Sequence, residues 1–92
     1  MSYPERVSIP VSGTKYHLEV DVSKWDCNRE PPHCHVASGR QRYAQVWLSN
    51  CRYEVEPRDI SANDSKRILD AVSSNRYKLQ SAYEHNAKYG AD

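Results

Sequence analysis

Ninety-two residues make one domain's worth of chain, near the small end of what folds unaided. Leu, Ile and Val supply only fifteen of them and Phe none, but thirteen Lys/Arg nearly balance twelve Asp/Glu, so the large net charge that accompanies disorder is missing. These figures exclude a large enzyme, a doubly wound α/β fold and a membrane span of ~20 apolar residues.

The first half of the chain alternates with period two. Val7, Ile9 and Val11 share one face of a first strand, and Pro10, which cannot donate to a ladder, places that strand on an edge. Ser12-Gly13 turns the chain, and Tyr16, Leu18, Val20 and Val22 then alternate with Lys15, His17, Glu19 and Asp21, predicting one buried and one wet face. Residues 23–32 break the pattern and read as a loop ending in Pro31-Pro32; its Trp25 either lids the core or is offered to a partner. Strand character resumes over residues 33–37, turns at Gly39, and returns over residues 42–49, with Ala44, Val46 and Leu48 inward and Tyr43, Gln45 and Trp47 outward or against a helix. Cys51, Tyr53 and Val55 alternate up to Pro57. From Ser61 the period changes: Ile68, Leu69, Val72, Leu79, Ala82 and Tyr83 form a helical stripe. Ser61 or Asn63 caps its start, Ser73-Ser74-Asn75 breaks it with Ser74 as second cap, and Gly90 ends it. The expected fold is a single α+β domain over residues 1–92, a five-stranded antiparallel meander (about residues 5–56) with one or two C-terminal helices (about residues 61–89) packed on one face.

Chemistry-bearing residues are few. On a strand, His33 and His35 project from one face about 7 Å apart, and Cys27 and Cys51 could complete a zinc set, but no CxxC pair supports it. Cys34, between the two histidines, faces the other way and reads as a core residue. No phosphate-cradling glycine loop or nucleophile–base pair stands out, so neither catalysis nor a metal, cofactor or small-molecule substrate is expected. Three cysteines and no basic-then-apolar opening run predict reduced thiols, no signal peptide and a cytoplasmic location. The middle third carries Lys24, Arg29, Arg40, Arg42 and Arg52 against only Asp26 and Glu30, interleaved with aromatics. Arginine with Tyr and Trp suits protein interfaces and single-stranded nucleic acid alike. The candidate contact residues are therefore Trp25, Arg29, His33, His35, Arg40, Arg42, Tyr43 and Arg52.

The run Pro31-Pro32-His33-Cys34-His35-Val36, the Gly39 turn, Pro57 and residues 75–83 resemble a small bacterial domain of unknown function. That domain has a PPHxHV signature, a helix with an HREELLENW-like segment, and a place in toxin–antitoxin-like gene pairs. The resemblance covers about residues 31–90, departing from the family at Cys34, where an aromatic is usual, and in a less acidic helix. In overall character the chain also resembles the short phage anti-CRISPR proteins that act on the type I-F surveillance complex. That resemblance implies a non-enzymatic inhibitor in the host cell, binding Cas subunits, either alone or together with the guide RNA, so that target DNA cannot hybridise. The alternative it leaves is a toxin–antitoxin component that binds a protein partner or RNA.

Overall fold

A computed structural model of the chain describes residues 3–92. Five strands, β1 (Ser8–Pro10), β2 (His17–Glu19), β3 (His33–Ser38), β4 (Gln41–Trp47) and β5 (Arg52–Tyr53), form one antiparallel sheet in sequence order. Three helices, α1 (Lys24–Arg29), α2 (Ala62–Ser74) and α3 (Arg76–Tyr89), complete the α+β fold. The meander with C-terminal helices is as the alternation and the helical stripe predict. Among the described residues, no helix is long and apolar enough to cross a membrane.

Register explains the two faces. Ile9 pairs with Leu18, Leu18 with Val36 and Val36 with Ala44, while Cys34 pairs with Val46 and Val46 with Tyr53. These rows make the apolar face, and Leu18, Cys34, Val36 and Val46 are fully buried there in one cluster with Ile68, Val72, Leu79 and Ala82 of the helices. Each such aliphatic side chain contributes roughly 1.5–3 kcal/mol on burial, so a thin core suffices only because its members are completely covered. At the helix end of the apolar face, the Ser65 hydroxyl donates to Tyr53 Oη (3.0 Å) and Arg67 donates to the Ser12 carbonyl (3.3 Å).

Several local expectations are corrected. Residues 23–32 are not a loop: Ser23 accepts from the Asp26 amide and starts α1, in the Ser-x-x-Asp pattern of a helix N-terminus. The second strand does not pair as far as Val22. Past Glu19 the backbone bonds to the chain's C-terminal segment instead, through Asn86 Nδ2 to the Asp21 carbonyl (2.8 Å) and Ala91 N–H to the Val22 carbonyl (2.8 Å). At the far edge only Arg52 and Tyr53 pair; Cys51 sits in the preceding turn at φ 55 and Val55 is exposed. Tyr43 does not point outward. Ala37 pairs with Arg42 and Val36 with Ala44, so Tyr43 is the extra residue of a bulge and packs edge-on against Tyr16 at 5.5 Å. The helical break is where the weak helix formers predict, but Ser74 is not a cap. Asn75 stands between the helices, and its Nδ2 is spent on the Ala71 carbonyl, leaving α3 without a side-chain cap.

Two glycines are required for different reasons, and their substitutions separate them. Gly39 has φ +62 with open space where a Cβ would go, so Gly39→Ala meets backbone strain alone and costs about 1–2 kcal/mol. At Gly90 an added Cβ would meet the Asn86 carbonyl and lie 2.6 Å from that of Val22, where the strap to Ala91 closes. Urea unfolding is expected to show the larger loss for Gly90→Ala, and equal losses would mean that the strap does not hold the fold.

Candidate functional site

The face of the sheet opposite the apolar rows holds the chemistry. Its rows are His17 with Ala37 and Arg42, Glu19 with His35 and Gln45, and His33 with Trp47. Asp21 lies two residues beyond Glu19, so the same alternation brings its carboxylate into the histidine rows. Asp21 Oδ2 is 3.1 Å from His33 Nε2 and 2.9 Å from His35 Nε2, and Arg42 holds Oδ1 at 2.9 Å. Arg42 also binds Glu19 Oε2 at 3.0 Å, and His17 Nε2 lies 2.8 Å from Glu19 Oε1.

Electrostatics follow from this geometry. Burial alone would push Asp21 up, but hydrogen bonds from His33 and His35 and the charges of His35 and Arg42 hold it far below the usual carboxylate range. Glu19 is likewise lowered despite burial, by His17 and Arg42. His33 is almost fully buried, which opposes its charged form, yet the bonds to Asp21 and to the Pro31 carbonyl raise its affinity for a proton. Its Nδ1 lies 2.9 Å from the Pro31 carbonyl while Nε2 faces Asp21, so both ring nitrogens meet acceptors and a doubly protonated ring satisfies both. Edge contacts of the His33 ring with His35 (5.0 Å), Tyr83 (5.2 Å) and Trp47 (5.9 Å) enclose it.

The expected contact residues divide into three groups. His33, His35 and Arg42 are drawn into this cluster, and the buried His33 ring is closed to any macromolecular partner. Tyr43 is half-buried beside Tyr16, under Lys15. Trp25, Arg29, Arg40 and Arg52 are exposed, and the 68% exposure of Trp25 shows that it does not lid the core. Neither Cys27 nor Cys51 joins the histidines. The Cys27 thiol donates to the Asp21 carbonyl at 3.3 Å, and Cys51 lies in the turn between β4 and β5. The residue that sequence reading missed is Asp21, assigned to a wet face by alternation alone; its place in line with Glu19, opposite two histidines, was the available signal.

Two measurements check this arrangement. Asp21→Asn removes the charge on which both histidines and Arg42 converge and is expected to cost about 3 kcal/mol in urea unfolding, whereas Arg40→Ala, on an exposed side chain, changes stability by less than ~0.5 kcal/mol. Burial pushes the Cys27 thiol up to about 11 and the Cys34 thiol up to about 12. Ellman's reagent is therefore expected to label only the half-exposed Cys51 in the native protein and all three thiols in urea; rapid native labelling of Cys34 would contradict its placement.

Neither the curated proteins nor the solved structures contain a match to the chain. A family profile does match, over residues 23–84, a span that includes His33, His35 and Arg42 but stops short of Asp21 on its N-terminal side. On that match the chain belongs to the DUF4160 family, a domain of unknown function.

Proposed function

We infer that the protein works by attachment to a macromolecular partner rather than by catalysis, with the exposed side of α1 as its principal contact. The observation that carries this reading is Trp25, a large indole kept 68% exposed on a well-anchored helix. Ser23 caps α1, and Asn28 Nδ2 joins it to the Ala87 carbonyl of α3 at 2.9 Å, so the indole is presented with little freedom to lose on binding. Arg29 follows one turn later on the same helix and is also exposed. Trp and Arg are the residues most enriched at binding hot spots.

The resemblance to anti-CRISPR proteins supplies the partner to test first, the type I-F Cas protein–guide RNA complex, with inhibition of target-DNA hybridisation as the outcome. Arg40, in the turn between β3 and β4, and Arg52, the first residue of β5, are exposed and would add salt-sensitive phosphate contacts. Arg42 is not, since Glu19 and Asp21 hold its guanidinium.

The test is a pull-down with the purified surveillance complex, followed by a target-DNA binding assay. The wild-type chain is expected to bind and block, and Trp25→Ala with Arg29→Ala to weaken binding by at least ~30-fold, about 2 kcal/mol, while leaving the unfolding midpoint in place. Absence of binding by the wild-type chain would remove this partner. Co-purification with a neighbouring gene's product, with growth arrest on expression, would favour the toxin–antitoxin alternative.

A further inference from the structure

We propose that Asp21, His33 and His35 form a binding site for one first-row divalent cation of the zinc class, with Asp21 Oδ2 and the two Nε2 atoms as ligands. The three atoms lie within 4.8 Å of one another, with Oδ2 2.9 and 3.1 Å from the two nitrogens. Ligands at about 2.1 Å from a tetrahedral zinc ion sit about 3.4 Å apart, so the two carboxylate–imidazole edges, at 2.9 and 3.1 Å, need to open slightly and the two Nε2 atoms, within 4.8 Å of each other, need to settle at that same spacing. Two imidazoles and one carboxylate are a borderline N/O donor set, suited to zinc and its neighbours rather than to magnesium or calcium.

The surroundings are those of a metal ligand set. His33 Nδ1 points at the Pro31 carbonyl, the bond that fixes a ligating imidazole in the tautomer with a free Nε2 lone pair. Arg42 occupies Asp21 Oδ1 and so orients Oδ2 toward the histidines. A cation at the three atoms would take over the task of the protons there, leaving His33 neutral with both nitrogens satisfied.

A separate observation comes from Gln45, which pairs with His35 across the strands. Its Nε2 amide is buried and has no hydrogen-bond partner. Gln45, His35 and Arg42 line one depression of about 430 Å³, which gives the site an approach from solvent. A hydroxide held on the cation's open position would be an acceptor in the depression that this unpartnered amide lines. The thiols take no part, because Cys27 is committed to the Asp21 carbonyl. This inference is independent of the contact surface at Trp25.

The experiment is a Co2+ titration of chelator-treated protein, read by visible absorption and followed by displacement with Zn2+. One equivalent is expected to give ligand-field bands without the near-ultraviolet absorption of a cobalt–thiolate bond, and Zn2+ is expected to raise the Tm. His35→Ala removes a ring that is 12% exposed and is expected to weaken binding at least ~100-fold, with circular dichroism checking that the variant is folded. His17→Ala and His85→Ala are expected to retain it. Because His33→Ala risks unfolding, histidine side-chain NMR of the wild-type protein gives the second readout: Zn2+ is expected to shift the rings of His33 and His35 and leave His17 and His85 in place. No bands at one equivalent, bands that persist in His35→Ala, or thiolate absorption would each overturn the site.

Discussion

Asp21 is the residue on which the separate parts of this small fold converge. Its carboxylate holds His33 and His35 of β3 through one oxygen and Arg42 of β4 through the other. Its backbone carbonyl takes the Cys27 thiol of α1 and the Asn86 amide of α3. One residue just past a three-residue strand thus links the sheet to two helices. A buried carboxylate is costly unless paired, and here both oxygens are bonded, Oδ2 by two histidines and Oδ1 by Arg42, which is why the anion is the stable form.

This constraint shapes the rest of the molecule. The apolar face of the sheet is small and fully covered, so little of the chain's Tyr and Trp content is needed to fill it. Tyr16 and Tyr83 are the aromatics taken into the core. Tyr83 also closes over the His33 ring and donates its hydroxyl to the Glu30 carbonyl at 2.8 Å, joining α3 to the end of α1. With α1 fixed from both sides, Trp25 and Arg29 are left in water on a rigid support. The polar cluster and the exposed aromatic surface are therefore mechanically connected through α1.

Much of the architecture was legible in the sequence. Period-two alternation gave the strand faces, Pro10 the edge, Gly13 and Gly39 the turns, and the Ser-Ser-Asn run the break between α2 and α3, because each depends on local chemistry. What was not legible depends on distant partners. The second strand stops at Glu19 because the C-terminal segment takes over the backbone bonds of Asp21 and Val22, and no local signal announces that. Tyr43 turns inward because of a bulge set by pairing across β3 and β4. The histidines were visible as a pair, but their conversion from a surface feature into a closed cluster depends on Asp21, twelve residues earlier. Helix α1 is the exception: its Ser-x-x-Asp start was local and available.

The central claim is that Asp21 holds His33 and His35 together beneath Tyr83. The most direct measurement is the long-range 15N–1H spectrum of the histidine side chains in the presence of chelator, near pH 6. The account requires His33 to carry protons on both Nδ1 and Nε2, with the Nε2 proton exchanging slowly with water, and a pattern that changes in Asp21→Asn. A His33 ring with a bare Nε2, or one whose spectrum is the same in Asp21→Asn, would contradict it.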